Sequence, residues 1–403
     1  MRKIISICLI IALLLCLVGC GKTEDETPKT ETPANTVSRE DVYAPARTLS
    51  TSGGVEVVDD LSNTYYKLTT EKKLNVAFLG GSVTYGTGGT GDYCWRTATT
   101  DWFKKNFPNA EINEINAAWG GTGTYWGYFR MDNAVLSHNP DLVFIEFAIN
   151  DVYKHRKRID SSLYMESIVN KIRNKNPNCD IVIIFVTDKS VNRMGKEYEQ
   201  LLGHKDVAEF YGIPTIDVGR VLAEEIERTG NEWSYYVSDY VHPNNTGYKV
   251  YADCIEGYLK NWLVTNPNKS GLTAHEKPEN YLVSNLSVES EIISVDKLEN
   301  TKGFKNSKTT DNAASHLGKT IYGTKGAEIE LEFTGRGLGM IADGARYPSI
   351  EVTVDDAITF TTAFSETTSE WRLIDNLNYG KHNVKIKVIG NAEIIIGGFL
   401  VEK

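Results

Sequence analysis

Residues 78–86 read FLGGSVTYG, and this stretch decides how the first half of the chain folds. The apolar run LNVAF ends at Gly80 and Gly81, and Ser82 follows directly. An apolar run of this length indicates a buried strand, and the glycine pair favours a tight turn at its carboxyl end. A serine hydroxyl at such a strand end is either part of an ordinary turn or a nucleophile. The rest of the sequence has to decide between the two.

The region from Asn75 to Leu263 alternates short apolar runs with longer amphipathic stretches. Nearly all-apolar runs separated by helix-length segments are typical of a parallel sheet with helices on both faces. We therefore expect an α/β fold here, with a last helix over Thr246 to Trp262. The predicted strands are NVAFLG, EINEINA, DLVFIEFA, DIVIIFV and PTIDV.

The pattern changes after a linker that is rich in Pro, Asn and Gly. Apolar and polar residues then alternate with a period of two, in runs such as AEIELEF and SIEVTVDD, between Gly, Asn and Asp turns. This alternation predicts an all-β domain, an antiparallel sandwich of jelly-roll type. The predicted organisation is an α/β domain over residues 46–265, a linker over residues 266–282 and a β-sandwich domain over residues 283–403.

The start of the chain predicts export rather than a part of the fold. Residues 1–19 combine the basic Arg2 and Lys3 with an apolar stretch of signal-peptide length. The segment ends in LVGC, which resembles the lipobox of bacterial lipoproteins and implies lipidation of Cys20; an uncleaved membrane anchor is the alternative. Residues 20–45 are polar and rich in Thr, Glu and Pro, so we expect a disordered tether. Either anchor would hold the exported protein at the outer face of the cell membrane.

Charge and the positions of Cys and His argue against several classes of protein. The chain of 403 residues carries a formal net charge of −10, which argues against a nucleic-acid partner because such a partner calls for a basic face. Cys94, Cys179 and Cys254 lack the spacing of a metal site or of a disulfide framework. They are predicted to be small buried residues, and one disulfide stays open as an alternative. The histidines other than His242 are scattered as well, so we expect no metal and no cofactor.

Three further stretches supply what a nucleophile at Ser82 requires. A hydroxyl is a weak nucleophile near neutral pH, so a base must accept its proton and a third group must orient the base. SDYVHPN provides Asp239 and His242, and their spacing can place the carboxylate beside one ring nitrogen and leave the other for Ser82. NAAWGGTG and EFAIND provide Gly121 and Asn150 after two other strands. Their amide groups could join the N–H of Ser82 in an oxyanion hole.

These four blocks, in this order, resemble the SGNH (GDSL-type) hydrolase family over roughly residues 74–263. The resemblance implies a three-layer α/β/α sandwich of flavodoxin-like type with a five-stranded parallel sheet. It also implies ester hydrolysis, with Ser82 as the nucleophile, His242 as the base and Asp239 as the residue that orients the base. The N–H of Ser82, Gly121 and Asn150 would form the oxyanion hole.

One departure from the family pattern is Gly81, where many relatives carry an Asp that is not a catalytic member. Gly120 adjoins Gly121, so the glycine of the second block is less firmly assigned.

Two other motifs fit the sequence less well. GTGGTG at residues 86–91 has the glycine spacing of a dinucleotide-binding turn but does not directly follow the strand. The nucleophile elbow G-x-S-x-G would need glycine in place of Thr84, so it is rejected.

Aromatic residues crowd the four blocks, which favours a sugar over a long acyl chain as the bound group. Aromatic faces with polar edges suit stacking on sugar rings, although we expect about half of these residues to belong to the core. Runs in the C-terminal part also resemble the β-sandwich domains that accompany carbohydrate acetylesterases, which implies a domain that binds or positions the glycan. The candidate substrate-binding residues are Tyr93, Trp95, Trp119, Trp126 and Trp233.

The favoured function is therefore a Ser-His-Asp esterase that removes small acyl groups, most simply acetyl, from a polysaccharide or oligosaccharide at the cell surface. An alternative within the same family is a lipase, a thioesterase or a peptidoglycan-directed deacylase. An alternative of another class is a non-catalytic, glycan-binding lipoprotein. The complete set of Ser82, Asp239 and His242 speaks against this last alternative.

Overall fold

A five-stranded parallel sheet forms the centre of the first part of the chain. Its strand order is β2-β1-β3-β4-β5. The second strand therefore pairs on one side of the first, and the third, fourth and fifth strands follow in succession on the other side. Each neighbouring pair is parallel, and the prediction of a five-stranded parallel sheet is confirmed. The strands are β1 (Lys73–Gly80), β2 (Glu111–Ala118), β3 (Leu142–Glu146), β4 (Asp180–Phe185) and β5 (Thr215–Asp217). The computed structural model describes residues 42–50, 54–55, 60–190, 197–306, 317–343, 348–363 and 369–403.

Helices cover both faces of this sheet because its strands are apolar on both sides. On β1, Val76 and Phe78 enter one hydrophobic cluster, whereas Ala77 and Leu79 enter another. Successive side chains of a strand point to opposite faces, so the two clusters mark the two sides of a three-layer sandwich. The helices are α1 (Ser62–Tyr66), α2 (Ser82–Tyr85), α3 (Trp95–Asn106), α4 (Thr124–Ala134), α5 (Ala148–Tyr153), α6 (Arg158–Lys175), α7 (Glu199–Phe210), α8 (Val218–Thr229), α9 (Trp233–Tyr236) and α10 (Asn245–Lys260).

The C-terminal part consists of antiparallel sheets, as the alternating pattern predicts. One sheet has the order β13-β12-β15-β10-β7 and the other β14-β11-β16-β9-β8, with β6 paired to β16. Side chains from both sheets form a third hydrophobic cluster, so the sheets enclose one core. The strands are β6 (Ser290–Ser294), β7 (Asn300–Lys302), β8 (Lys305–Asn306), β9 (Ile321–Gly323), β10 (Glu328–Gly335), β11 (Gly337–Asp343), β12 (Ser349–Val354), β13 (Ile358–Ala363), β14 (Glu370–Ile374), β15 (Gly380–Val388) and β16 (Ile394–Glu402).

The β part packs directly on the α/β part. Ile341 and Leu400 of the β sheets belong to the same buried cluster as Tyr125 and Tyr164 of α4 and α6. The fully buried carboxylate of Glu166 on α6 accepts hydrogen bonds from the backbone N–H groups that lead into the β part, at 2.6 and 2.7 Å. The described residues from 42 onward accordingly form one compact unit. The domain boundaries given above stay predictions.

The predictions for residues 1–41, including lipidation of Cys20, lie outside the described residues. Within the described ranges, no helix is both long and apolar enough to cross a bilayer. Cys94 and Cys179 are buried, Cys254 is half-buried, and all three are free thiols.

Candidate active site

Ser82 lies where β1 gives way to a very short helix. β1 ends at Gly80, and Ser82 is the first residue of α2. The helix stops after one turn at Gly86, whose φ of 107° is in the left-handed region. This turn places Ser82, which is half-buried, at the carboxyl edge of the parallel sheet. Ligand sites of open α/β sheets are found at that edge.

The loop before α10 brings His242 to this serine. His242 Nε2 lies 2.7 Å from Ser82 Oγ, and His242 Nδ1 lies 2.7 Å from a carboxylate oxygen of Asp239. The other oxygen of Asp239 accepts hydrogen bonds from the backbone N–H groups of Val241 and His242, both at 2.8 Å. The Asn244 side chain then caps α10 by accepting from the backbone N–H of the second and third helical residues. The loop is therefore fixed from both ends, and the imidazole bridges the hydroxyl and the carboxylate.

The carboxylate of Asp239 is ionised throughout the neutral pH range. Its partial burial raises the pKa, but the hydrogen bonds from the His242 ring and from two backbone N–H groups outweigh this effect and lower the pKa to about 2. A negative charge beside Nδ1 favours the proton on that nitrogen. Nε2 is then left as the proton acceptor that faces Ser82.

The segments that carry the predicted oxyanion donors lie beside Gly81 and Ser82. A Cβ built on Gly120 would lie 3.7 Å from Ser82 Cβ, so the glycine turn after β2 runs beside the nucleophile. Gly121 has a φ of 70°, which favours glycine at this position. Asn150 lies on α5 after β3 and is 8% exposed. Its side-chain amide occupies the space that a Cβ at Gly81 would fill, so glycine at position 81 is what allows the amide to approach.

Two buried ionisable residues, which were not predicted from the sequence, lie beneath the turn that carries Ser82. Glu146 ends β3, is 1% exposed and accepts a hydrogen bond from Thr84 Oγ1 at 2.8 Å. The backbone N–H groups of Gly81 and Thr84 also donate to its carboxylate. Arg130 on α4 donates to the carbonyl oxygen of Gly80, the last residue of β1, at 3.0 Å, and to that of Ala117, the last residue but one of β2. Together they tie three strand ends to the turn that carries Ser82.

The structure corrects the prediction for two of the five candidate substrate-binding aromatics. Trp95 is 0% and Trp126 is 1% exposed, and each belongs to a core cluster on one face of the sheet. Neither ring can therefore stack on a ligand at the surface; helical periodicity places both on the buried sides of their helices. Tyr93, Trp119 and Trp233 are half-buried, so their contact with substrate stays a prediction.

Exposed tyrosines at the sheet edge are better placed for such a role. Tyr85 is 58% and Tyr153 is 44% exposed, and each lies three residues after a predicted site residue, Ser82 or Asn150. Tyr240, which is 49% exposed, lies between Asp239 and His242. Tyr85 and Tyr153 were not predicted from the sequence, although each lies three residues after a predicted site residue, a spacing that places two side chains on the same face of a helix.

The GTGGTG segment lies against the histidine loop and opens no helix. The carbonyl of Gly88 accepts a hydrogen bond from Ser238 Oγ at 3.2 Å, and the N–H of Thr90 donates to Asn245 Oδ1 at 2.8 Å. The next helix, α3, begins only at Trp95. Among the residues that the structure describes, no group of three or more His, Cys, Asp or Glu side chains is arranged to hold a metal ion.

The match of the α/β part to a known family indicates the class of the protein, an ester-hydrolysing enzyme. Residues 78–250, which lie within the α/β part of the chain, match the family model described as GDSL-like Lipase/Acylhydrolase family. The matched range includes Ser82, Gly121, Asn150, Asp239 and His242. The resemblance drawn from the four sequence blocks is thereby confirmed at the level of the family, and the roles of the individual residues stay predictions.

Solved structures extend the likeness to both parts of the chain. Two crystal structures of a two-domain esterase active on acetylated mannans, one co-crystallized with mannopentaose, match with a TM-score of 0.71 and identities of 22% and 21%. The match covers 88% of this chain and 99% and 98% of those chains, respectively. An acetylxylan esterase from Geobacillus stearothermophilus matches at 16% identity with a TM-score of 0.38, over 46% of this chain and 94% of its own. No curated protein matches the chain in sequence.

Glu146 gives the fold a testable pH dependence. Burial raises its pKa from 4.5 to about 7, although hydrogen bonds from Thr84 and two backbone N–H groups oppose the rise. Between these values the unfolded chain has lost the proton and the folded chain still holds it, so the free energy of unfolding falls as pH rises from about 4.5 to about 7. Replacing Glu146 by Gln should remove this slope, which amounts to about 3 kcal/mol across the window.

Urea denaturation of wild type and Glu146→Gln at several pH values measures the effect. Glu332→Gln is the control, because Glu332 is 60% exposed in a surface pair with Lys381 and its replacement should leave the slope as in wild type. Parallel curves for wild type and Glu146→Gln would contradict the assignment.

Proposed function

We propose that the chain is a serine esterase that removes acetyl groups from a polysaccharide or oligosaccharide through an acyl-enzyme. The observation that carries this proposal is the line of short contacts from Ser82 Oγ through His242 to Asp239, at 2.7 Å on each side of the imidazole. A hydroxyl, a base and an orienting carboxylate in this order are the parts that acyl transfer to serine requires.

The geometry supports a two-step reaction. Nε2 of His242 accepts the proton of Ser82 as its Oγ attacks the ester carbonyl, and Asp239 stabilises the imidazolium that forms. The negative charge that develops on the carbonyl oxygen is met by the N–H of Ser82, the N–H of Gly121 and the side-chain amide of Asn150. His242 then gives the proton to the departing sugar hydroxyl. In the second step, His242 accepts a proton from a water molecule that attacks the acyl carbonyl, and it gives this proton to Ser82 Oγ as the bond between Ser82 and the acyl group breaks and acetate leaves.

A carbohydrate ester is the substrate class that the surroundings of the site support best. Tyr85, Tyr153 and Tyr240 expose aromatic faces with polar hydroxyls next to the predicted nucleophile, oxyanion and base residues. Such surfaces suit sugar rings better than long acyl chains. The solved structures that align with both parts of the chain are described as an esterase active on acetylated mannans. We therefore propose an acetylated mannan, or a related acetylated glycan, as the substrate.

We also propose that the enzyme is a surface lipoprotein. The basic start, the apolar stretch and LVGC favour export, with lipidation at Cys20. An acetylated polysaccharide cannot enter a cell intact, so an anchored enzyme on the outer face would meet it there.

Ser82 and His242 should act as one unit. Ser82→Ala and His242→Ala are each expected to lower kcat for p-nitrophenyl acetate on the order of 10⁴-fold or more, and the double variant should lose little beyond either single one. Ser137→Ala, at an exposed serine after α4, is the control and should keep wild-type activity. Turnover that survives Ser82→Ala would refute the serine mechanism.

Acyl chain length and acetate release separate the proposal from the alternatives in the family. The value of kcat/KM for p-nitrophenyl esters should fall steeply from acetate to octanoate, because the exposed aromatic side chains beside the site are Tyr85, Tyr153 and Tyr240, whereas a long acyl chain prefers an aliphatic groove. Acetate release, compared among acetylated mannan, xylan, pectin and peptidoglycan, should be fastest from mannan. A preference for octanoate would support a lipase, and release from peptidoglycan alone would support the peptidoglycan-directed deacylase.

The anchor is tested by following the full-length protein in a lipoprotein-processing bacterial host. The wild type should enter the detergent phase on phase separation and carry a lipid on Cys20, whereas Cys20→Ser should lack the lipid and leave the membrane fraction. Retention of Cys20→Ser in the membrane would support the uncleaved anchor instead.

A further inference from the structure

The β part reaches into the α/β part through the buried carboxylate of Glu370, the first residue of β14. Its side chain is 1% exposed. Oε1 accepts a hydrogen bond from Arg156 Nη2 at 2.8 Å and lies 3.7 Å from Lys154 Nζ. Oε2 accepts a longer hydrogen bond of 3.4 Å from the backbone N–H of Gly123. Because a carboxylate is buried at low cost only when its charge is paired and its oxygens are bonded, these contacts hold the side chain in this position.

The partners of Glu370 lie on the two segments that carry the proposed oxyanion donors. Gly123 is two residues beyond Gly121 and is the N-cap of α4. Lys154 is the C-cap of α5, the helix of six residues that contains Asn150. One side chain from the β part therefore contacts both segments that carry the proposed oxyanion donors.

Asp151, the neighbour of Asn150, completes this junction from within the α/β part. It accepts hydrogen bonds from the backbone N–H and the hydroxyl of Thr124, at 3.0 and 2.6 Å, and so ties α5 to the start of α4. Arg156 Nε lies 3.4 Å from the same carboxylate. Burial raises the pKa of Asp151, but the hydrogen bond from His204 and the charge of Arg156 outweigh it and hold the pKa below its ordinary value. Asp151 is therefore an anion, and Arg156 bridges it to the β part.

Two cations and two carboxylates, whose charges sum to zero, meet at this junction of Lys154, Arg156, Asp151 and Glu370. The side chains of Lys154 and Arg156 are 7% and 9% exposed, and those of Asp151 and Glu370 are 0% and 1% exposed. Removing the charge of Glu370 would leave two poorly solvated cations with one carboxylate. Entry of water or movement of the segments relieves such an imbalance. The segments that would move are those that hold the glycine turn and α5.

We propose that the β part holds the oxyanion hole in its working geometry through Glu370, which makes Glu370 a positioning residue for ester hydrolysis. The inference rests on the proposed function, since it takes Gly121 and Asn150 as the groups that stabilise the oxyanion. Such donors are effective only at fixed positions, and a displacement of about 1 Å costs on the order of 10²-fold in rate. The donors stabilise a negative charge that forms on the carbonyl oxygen only in the transition state. Because Glu370 positions these donors, loss of its charge should lower kcat and leave KM nearly unchanged.

Glu370→Gln tests the inference because it keeps the size of the side chain and removes its charge. With p-nitrophenyl acetate, kcat should fall about 10- to 100-fold, while KM stays within about twofold of wild type. The matched control is Glu402→Gln, at another fully buried glutamate of the β part, which contacts Tyr164 of α6 at 2.7 Å and Arg47 at 3.2 Å. This control should lose a similar amount of thermal stability and keep kcat within about threefold, because its partners lie outside both oxyanion segments.

A double-mutant cycle with Asn150→Ala distinguishes positioning from a general structural effect. Since Glu370 acts in part through Asn150, Glu370→Gln should cost at least threefold less in kcat in the Asn150→Ala background than in wild type. An equal loss in both backgrounds, a loss no larger than that of Glu402→Gln, or a change mainly in KM would overturn the inference. If Glu370→Gln does not fold, Glu370→Asp is used in its place. The shorter side chain keeps the charge but withdraws the carboxylate oxygens from Arg156 and Lys154, so the same changes in kcat and KM are expected. A wild-type protein that is inactive on esters would refute the proposed function, and the inference would fall with it.

Discussion

The candidate active site depends on the hydrogen bond that joins Ser82 Oγ to His242 Nε2 at 2.7 Å, across 160 positions of sequence. Neither group can perform nucleophilic chemistry alone, because the hydroxyl needs a proton acceptor and the imidazole needs an orienting partner. The parallel sheet is what permits the contact, since all of its strands end at one edge. Ser82 lies at that edge directly after β1, and the loop that carries His242 lies at the same edge, directly before α10.

Much of the α/β part could be predicted from the sequence because its signals are local. The five predicted strands match β1 to β5. The signal is strongest in β3 and β4, which are buried throughout and therefore continuously apolar, and weakest in the edge strand β2, where polar and apolar residues are mixed. The Asp239 to His242 contact also follows from a short spacing, since both residues lie in one loop. The aromatic residues were harder to assign, because a tryptophan suits a sugar-binding site as well as a hydrophobic core. Trp95 and Trp126 are buried in the core, which the sequence near them does not reveal.

The buried charges beneath the site were missed because their partners lie far away in sequence. Glu370 stands in a strand, and its nearest cation, Arg156, is 214 positions away. A glutamate in a β-strand is usually a solvent-facing residue, so no local pattern distinguishes this one. Arg130, which donates to carbonyl groups near the ends of two strands, and Glu146, which accepts from the turn that carries Ser82, likewise have partners on other elements of the fold. No local pattern in the sequence distinguishes them either.

The β part is structurally continuous with the α/β part and shares buried side chains and ion pairs with it. An accessory domain attached by a flexible linker could bind a glycan without affecting the chemistry. The contacts of Glu370 instead give this domain a direct physical connection to the glycine turn and to α5. The two parts would then contribute to one site, the α/β part through its reactive groups and the β part through their support.

The most direct test of the account is to locate the covalent adduct that a fluorophosphonate probe forms with the protein. Peptide mass spectrometry of the labelled wild type should place the adduct on Ser82, and His242→Ala should label far more slowly, because the serine then lacks its proton acceptor. An adduct on another residue, or equal labelling of wild type and His242→Ala, would contradict the claim that these two side chains form the reactive pair.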